Sequence, residues 1–416
     1  PNLVNWATDI GLVIGFGAIA VDYLWLRTHK MHIRVIGFLI SAIILGSPVG
    51  FIFPVENPII PIPVILVQAS FGLFGLAGLI LVNLFYSALD IITKLGVGKN
   101  ACAGVAPVIP GVDLPNSPIS VPLHAWLSFV IILIVHEASH GFVIRKLGMK
   151  LKSYGLLLLG FLPIGAFVEP DDKEMADLEK KKPREALRVY AAGPASNFYF
   201  FLIGGIIFTL LGGFILGPLL MPAFTEIRND SSLGVQVKSV EDEILLCGTV
   251  FETPAHNVLF VGDQITHVDG NAVNTIGQFS KAVAGKKSYT LTVNHEGTVS
   301  DHFFEPNDLG RIGINVADIP KPEYPFPWGY HPGIAVIGFI TGFLGWLLLL
   351  NFLVATANFL PIDPFDGGKM VKLLILPYLG VLKMSEVDTK KLIGRFFSWV
   401  LLALIIINAL PLIIVN

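Results

Sequence analysis

Apolar runs long enough to cross a lipid bilayer alternate with short polar segments along most of the chain. A membrane-spanning helix needs about 20 predominantly apolar residues. Runs of this kind cover residues 4–26, 34–55, 63–89, 121–146, 189–219, 332–361 and 395–415. Asp9 and Asp22 interrupt the first run, and the third is long enough to tilt or bend. The pattern predicts a polytopic α-helical membrane protein with about six to seven transmembrane helices.

Three segments depart from this pattern. Residues 151–168 are apolar but short and broken by Gly and Pro, which predicts strands or a re-entrant hairpin buried against protein. Residues 169–188 are crowded with charge and predict an interfacial helix that ends near Pro183. Residues 226–323 contain short β-type runs, such as 234–237 and 289–293, separated by turn residues. This last segment predicts an inserted β-rich domain.

The composition agrees with a protein whose main partner is the lipid bilayer. Hydrophobic residues make up 53% of the chain and charged residues 14%, with a formal net charge of −3. These values are typical of a polytopic membrane protein. Basic residues do not outnumber acidic ones, so the charge of the chain does not suggest binding to nucleic acid.

The fourth apolar run contains the pentapeptide HEASH at residues 136–140. On a helix, His136 and His140 share one face and Glu137 lies beside them. Two imidazoles and a carboxylate in this spacing are typical of a helix that binds zinc next to a general base. In a soluble chain the same spacing often belongs to a solvated surface helix. Ionisable side chains within a membrane segment are costly, so here they predict hydrolysis within or beside the bilayer.

Zinc bound by two histidines needs a further ligand, and a candidate follows the sixth apolar run. Residues 358–368 read NFLPIDPFDGG, so Asp363 and Asp366 both lie just beyond a predicted spanning helix. The neighbouring Pro and Gly residues allow the backbone to leave the helix. A carboxylate at that depth is costly without a partner. Either aspartate therefore qualifies as the third ligand on these grounds.

The fifth apolar run begins with small residues and one amide. Residues 192–197 read AGPASN. Small residues allow two helices to approach closely, and Asn197 supplies a polar side chain within the membrane.

The three motifs in this order resemble the site-2 protease family of intramembrane zinc metalloproteases. HExxH in one spanning helix is followed by GPxxN at the head of the next and by NxxPxxxxDGG at the end of a third. The resemblance covers roughly residues 121–416, and residues 156–171 look especially like archaeal members. Many relatives have Leu before the ligand Asp and no earlier acid, whereas this chain has Phe365 and Asp363. Position in the motif favours Asp366.

The resemblance implies one Zn²⁺ ion, with His136, His140 and Asp366 as ligands and Glu137 as the base that takes a proton from the attacking water. The implied substrates are transmembrane proteins, typically trimmed first by another protease. Candidate donors to the oxyanion are Asn358 and Asn197. Asn358 has two alternative roles, holding the substrate backbone or bridging helices.

A helical substrate hides its carbonyl groups in hydrogen bonds, so it must unwind before cleavage. The segment 151–168 is predicted to supply an edge strand that accepts the unwound chain.

The polar insert resembles a PDZ domain. Residues 262–273 are similar to the strand–turn–strand signature of these domains, and residues 278–283 to the helix that follows. PDZ domains bind extended peptides by adding them to a sheet edge. Another small β-rich insert is the alternative.

The chain is thus predicted to divide into five parts. They are N-terminal helices 1–95 outside the family resemblance, a Gly/Pro-rich loop 96–120, catalytic core 121–225, PDZ-like domain 226–323, and catalytic core with a C-terminal helix 324–416.

Basic residues predict the sidedness of the catalytic core. Lys and Arg follow both the HExxH helix, at 145–152, and the Asp366 motif, at 369–391. The positive-inside rule puts both ends in the cytoplasm. The metal site then lies toward the cytoplasmic side, and the PDZ-like domain is extracytoplasmic. Arg27, Lys30 and Arg34 disagree, because three complete spans before the HExxH helix would place them outside. The topology of residues 1–120 therefore stays open.

Two other functions fit parts of the sequence. A non-catalytic membrane peptide-binding protein would use the PDZ-like domain and carry a vestigial metal site. Such a relative would be expected to lose the base or a ligand, yet Glu137 is present. A metal transporter is more distant, since its path would show several intramembrane acids and histidines and only one cluster is evident.

The two cysteines, Cys102 and Cys247, are both predicted to lie outside the cytoplasm. A disulfide between them would persist there. Two separate buried thiols are the alternative.

Overall fold

Helices dominate the part of the chain that the structure describes. The computed structural model describes residues 3–49, 63–106, 109–112, 121–160, 162–246, 249–323, 332–380 and 383–414. Within these ranges, six helical segments are long and apolar enough to cross a membrane: Leu3–Leu26, Val64–Gly96, Ala125–Lys146, Pro183–Ser231, Val336–Asn358 and Glu386–Ile414. The prediction of several spanning helices is therefore confirmed for six of the seven apolar runs.

The N-terminal region forms three helices. Helix α1 covers Leu3–Val21 and continues as a π-helical stretch over Asp22–Leu26. Helix α2 covers Met31–Gly46, and α3 covers Val64–Gly96. The second apolar run, 34–55, gives only the 16 residues of α2, which is shorter than a full span. The end of that run, from residue 50 onward, lies outside the described residues.

The next elements carry the HExxH motif and its surroundings. Helix α4 covers Ala125–Lys146, and strands β1 (Leu151–Leu159) and β2 (Leu162–Pro170) pair antiparallel. The expectation of strands in 151–168 is thus confirmed. The expectation that this segment is buried against protein is wrong for the end of β1, where residues 156–159 are exposed. Helix α5, Asp172–Lys181, is the predicted charged helix, and the Asp171 side chain caps it by accepting hydrogen bonds from two backbone N–H groups of its first turn. It ends before Pro183, as predicted.

Helix α6 begins at Pro183 and runs to Thr209. A π-helical stretch, Leu210–Leu216, connects it to α7, Gly217–Ser231. Pro at the first position of a helix is favourable because its missing N–H has no intrahelical partner there.

The insert that follows is β-rich. It contains strands β3 (Ser232–Val240), β4 (Glu243–Leu246), β5 (Thr249–Glu252), β6 (Gln264–Val268), β7 (Asn271–Ala272), β8 (Tyr289–His295), β9 (Thr298–Phe304) and β10 (Ile314–Pro320), with helix α8 (Ile276–Val283). The main sheet has the order β10-β3-β6-β8-β9, with β7 paired to β6. Strands at 234–237 and 289–293 and a helix at 278–283 are confirmed, while the PDZ-like character stays a prediction.

The C-terminal region returns to helices. Helix α9 covers Pro332–Asn358, α10 covers Asp366–Ile375, α11 covers Glu386–Ala409 and α12 covers Pro411–Ile414. A short 3₁₀ turn, Leu376–Tyr378, follows α10.

The chain forms two compact units, each with its own core. The first is built from residues up to Ile206 together with Gly345–Ile414, and the second from Ile207–Leu344. The core of the first unit joins the N-terminal helix to the motif-bearing segments through Leu12, Phe16, Leu187, Phe359 and Met370. The core of the second joins its sheet to α8 through residues that include Val235, Ile265, Leu291 and Phe279.

Of the two cysteines, only Cys102 belongs to the described residues. Cys102 carries no free thiol in the structure. Cys247 lies outside the described residues, so a bond between these two residues stays a prediction.

Candidate metal centre

Three side chains with metal-binding atoms converge in the first unit. The Oδ2 atom of Asp366 lies 3.0 Å from His140 Nε2 and 3.3 Å from His136 Nε2, and the two Nε2 atoms are 3.2 Å apart. Among the described residues, these three form a group of potential ligands whose atoms lie within 4.8 Å of one another. All three side chains are almost completely shielded from solvent. The structure therefore brings together the ligands that the sequence predicts.

The local structure of each segment explains this convergence. His136 and His140 lie one turn apart on α4, so their imidazoles project from the same face. Asp366 is the first residue of α10, where a carboxylate is also favoured by the helix dipole. Asp363 lies elsewhere, half-exposed and paired with Lys372. Of the two aspartates that the sequence left open, Asp366 joins the histidines.

The outer nitrogen of His140 has a partner of its own. Its Nδ1 lies 2.7 Å from the backbone carbonyl oxygen of Val189 on α6. A carbonyl can only accept, so Nδ1 carries the proton and donates. The Nε2 atom of this tautomer is unprotonated and has a lone pair that faces the cluster. Such a contact fixes both the tautomer and the ring orientation of a ligand histidine.

The outer nitrogen of His136 faces Asn197, which is fully buried on α6. The Asn197 amide nitrogen lies 3.1 Å from His136 Nδ1, while its buried Oδ1 has no hydrogen-bond partner within the described part of the chain. An amide turned by 180° occupies the same space and places Oδ1 next to Nδ1. In that orientation Nδ1–H donates to Oδ1, and His136 Nε2 is free for a metal. The orphaned oxygen thus fits a metal-bound histidine.

Gly193 provides the close approach of α6 to the cluster. A Cβ atom added at this position would lie 2.3 Å from His140 Nε2 and 2.5 Å from His136 Nε2. Any side chain would therefore occupy the space in front of the ligand atoms. The glycine of the GPxxN motif leaves this space open, and it was not singled out from the sequence as a site residue.

The carboxylate of Asp366 has a cationic neighbour on the side away from the histidines. The ammonium group of Lys369 lies 3.7 Å from Oδ1, the oxygen that faces away from the histidines. The carboxylate is thus kept in the ionised form that binds a cation.

The cluster opens into a cavity of about 810 Å³. Glu137 is half-buried and lines this cavity, as does Asn358, whose amide donates to the Val354 carbonyl oxygen at 3.0 Å. The other walls come from β2, α5 and the start of α6, with Phe167, Val168, Met175, Glu179 and Tyr190. The predicted base and one predicted oxyanion donor therefore share a space with the metal-binding atoms.

A second, mostly apolar groove adjoins the cavity. It has a volume of about 580 Å³ and runs between α4 and the β1–β2 hairpin. Glu137, Phe167 and Val168 line both spaces. The remaining wall of the groove is formed largely by small or apolar residues, including Ala138, Gly141, Gly155 and Ala166.

Two features near the site escaped sequence reasoning. The Val189 carbonyl group is backbone, so no side-chain pattern could reveal its bond to His140. The second feature is Asp9, which is buried on α1 and hydrogen-bonds Arg184 and Arg188 of α6. An acid inside an apolar run was a signal that it needs a partner.

The region that contains these residues is similar to known proteins. The family model of Peptidase family M50 matches residues 124–401, a range that contains all three clustered residues and leaves out α1 to α3. An uncharacterized protein from Methanocaldococcus jannaschii is 28% identical over 250 residues, which is 58% of this chain and 55% of that protein. The chain thus spans about half the length of this curated relative. Because the family match covers more than half of the chain, the protein belongs to Peptidase family M50, the site-2 protease family of metallopeptidases.

Proposed function

We propose that this protein is an intramembrane zinc endopeptidase that hydrolyses peptide bonds in the transmembrane segments of other membrane proteins. The observation that carries the proposal is the cavity in which His136, His140 and Asp366 face Glu137. Two nitrogen ligands, one carboxylate and an adjacent acid are the residue set of a catalytic zinc site that keeps a position open for water.

The residues present fit a zinc ion. His136 Nε2, His140 Nε2 and Asp366 Oδ2 would hold it, since these atoms converge and the outer atoms of the imidazoles have partners on α6. The family is zinc-dependent. A bound zinc ion would supply a water molecule of lowered pKa and polarise the substrate carbonyl group.

The other side chains of the cavity have distinct roles in this proposal. Glu137 takes a proton from the attacking water and returns it to the amine that leaves. Asn358, on the cavity wall, donates its second amide hydrogen to the carbonyl oxygen as that atom gains negative charge. The buried contact between Asn197 and His136 favours a positioning role for Asn197 over the oxyanion role.

The proposed substrate is an unwound, apolar stretch of polypeptide. Among the described residues, β1 and β2 pair only with each other, and β2 lines the metal cavity, so the edge of this hairpin could accept an extended chain by backbone pairing. The adjoining groove offers apolar and small-residue walls to side chains next to the scissile bond. We propose that the substrates are transmembrane proteins already trimmed by another protease and that cleavage occurs toward the cytoplasmic face.

A pair of variants on α4 tests the catalytic proposal. We expect Glu137→Gln to keep zinc but to lose cleavage by about 10²–10⁴-fold, because it removes the base and no ligand. Ser139→Ala is the matched control, since the Ser139 hydroxyl donates to the Val135 carbonyl oxygen and does not line the cavity. Zinc content and cleavage of a reporter with one transmembrane helix are measured in reconstituted membranes. Full activity in Glu137→Gln would overturn the mechanism.

We also propose that the insert selects substrates by recognising extended peptide segments. The structure supplies a clean way to remove it: Ser232 pairs with Pro320 across β3 and β10, so the two ends of the insert are neighbours. A short Gly/Ser bridge between these two residues should leave zinc binding unchanged and alter which substrates are cut. Loss of zinc, or an unchanged substrate profile and rate, would contradict this role. If the intact protein binds extended peptides through the insert but cleaves no substrate, the alternative of a non-catalytic membrane peptide-binding protein is favoured.

A further inference from the structure

The N-terminal helix α1 carries a carboxylate that is enclosed by the protein. Asp9 is only 3% exposed. Its Oδ1 accepts a hydrogen bond from Arg188 Nε at 2.8 Å, and its Oδ2 accepts from Nη2 of Arg188 at 2.7 Å and from Nη2 of Arg184 at 2.6 Å. Both arginines belong to α6. A bidentate pair of this kind fixes the planar guanidinium group in one orientation.

Helix α6 contacts the histidines with one face and α1 with another. One face bears the groups that touch the histidines, at a spacing of four residues: Val189, Gly193 and Asn197. The other face contacts α1 through Arg184, Arg188, Ala195 and Tyr199. At the second face, the Tyr199 hydroxyl donates to the Ala7 carbonyl oxygen at 2.7 Å. A Cβ atom added at Gly11 would lie 2.3 Å from Ala195 Cβ, so the two helices are in close contact there.

Helix α1 also contacts the segment that leads to Asp366. Phe359, the neighbour of Asn358, is fully buried and packs edge-on against Phe16 with ring centroids 6.2 Å apart. A Cβ atom at Gly15 would lie 2.3 Å from the same Phe359 ring. Helix α1 is therefore in direct contact with both chain segments that support the ligand residues, although it lies outside the family match.

We propose that α1 is a positioning element of the metal centre and that Asp9 is the residue through which it acts most strongly. Asp9 holds Arg188, the residue next to Val189, and so sets the depth and rotation of α6 at the carbonyl group that orients His140. Without Asp9, Arg188 is buried with Glu185 as its remaining acid partner, and α6 must shift to hydrate the guanidinium group. This inference rests on the proposed zinc site.

The expected effect on zinc affinity is moderate, because Asp9 acts on His140 through two intermediate groups, the Arg188 side chain and the Val189 carbonyl group. Loss of a direct partner of a ligand histidine weakens metal binding by about 10–100-fold, and a more remote residue should lie near the lower end, about tenfold. A role in stability alone would leave the affinity for zinc unchanged once the protein is folded.

The test compares two buried acids of the same helical segment in the purified, full-length protein. Asp9→Asn removes the negative charge and one of the two acceptor oxygens that contact α6. Asp22→Asn is the control, because Asp22 is equally buried and pairs with Arg34 of α2 at 2.7 Å. Its other partner is the Tyr378 hydroxyl, in the turn that follows α10, so neither contact involves α6. The affinity for zinc is measured by chelator competition, and the ligand geometry is measured by the visible absorption spectrum of the Co²⁺-loaded protein. Thermal stability is recorded for both variants.

We expect both variants to be less stable but only Asp9→Asn to bind zinc about tenfold more weakly and to change the Co²⁺ spectrum. Asp9→Glu should restore part of the affinity because it keeps the charge. If Asp9→Asn does not fold, Arg188→Lys replaces it, since lysine keeps the charge but cannot make the bidentate contact. Equal zinc affinity and equal spectra in the Asp9 and Asp22 variants would overturn the inference. A wild-type protein that binds no zinc would instead overturn the proposed function.

Discussion

The buried clusters of ionisable side chains around Asp9 and around Asp366, both in the helical unit, differ in how their polar atoms are satisfied. Around Asp9, every carboxylate oxygen faces guanidinium N–H donors at 2.6–2.8 Å. Around Asp366, an oxygen and two nitrogens with lone pairs face one another at 3.0–3.3 Å. The first cluster has donors for its acceptors. The second turns three metal-binding atoms toward one point.

This difference separates a structural cluster from a functional one. Buried charges are stable when opposite charges and hydrogen bonds compensate them, as they do at Asp9. Acceptors that converge without a shared proton repel one another unless a cation lies between them. Burial and charge alone do not distinguish the two clusters, so it is the direction of the lone pairs that marks the cluster around Asp366 as the candidate metal centre. The variants below test this distinction.

The largest effect is expected at Gly193. Gly193→Ala places a methyl group where a Cβ would lie 2.3 Å from His140 Nε2, so zinc and the side chain compete for the same space. We expect zinc affinity to fall by more than about 100-fold, beyond the usual effect of losing an outer partner, and cleavage to be lost. Gly205→Ala is the control on the same helix, because a Cβ there meets no atom of the described residues within 4 Å. Zinc binding by Gly193→Ala at wild-type affinity would place the metal elsewhere.

An intermediate effect is expected at Asn197. Asn197→Ala removes the acceptor for His136 Nδ1–H, and we expect zinc affinity to fall by about 10–100-fold. Asn197→Asp keeps an acceptor oxygen and should bind zinc more tightly than the alanine variant. Chelator competition measures both. If Asn197→Ala instead loses cleavage while its zinc affinity is unchanged, the oxyanion role predicted from the sequence is the correct one.

The smallest effect is expected at Asp363. This residue pairs with Lys372 and has a side chain that is 50% exposed, so its loss should cost no more than about 1 kcal/mol of stability. Asp363→Ala should keep both zinc and activity, whereas Asp366→Ala should lose both. Zinc analysis and thermal unfolding of the two variants provide the comparison. The reverse result would exchange the roles of the two aspartates.

Sequence reasoning selected the three residues of the candidate centre because they are anomalies in their surroundings. His136, Glu137 and His140 interrupt an apolar run, and Asp366 follows another, so each needs an explanation that helix formation does not supply. The spans, the hairpin and the charged α5 followed from the same alternation of apolar and polar residues. The ends of the helices were predicted less accurately. For α2, hydropathy favours the whole run 34–55, but within the described residues the helix ends at Gly46.

The partners of these residues were harder to predict because they lie far away in sequence. Asp9 was treated as a break in an apolar run, and its partner Arg188 is 179 residues downstream. Asn197 was recognised as a polar group in the membrane, but its neighbour could not be known without the packing of α4 against α6. The Val189 carbonyl group belongs to the backbone and has no sequence signature at all. Such contacts depend on helix rotation and depth, which hydropathy does not encode.

The separation of the metal-binding residues along the chain has a consequence for biosynthesis. Asp366 is 226 residues downstream of His140. At a synthesis rate of about 5–20 residues per second, roughly 10–45 s pass between the translation of the two residues. The third group of the proposed zinc site is absent throughout that interval, so the site cannot be complete before α9 and the start of α10 have been synthesised. On the proposed function, the order of residues along the chain therefore leaves the nascent protein without a complete zinc site while its own transmembrane segments are still being inserted.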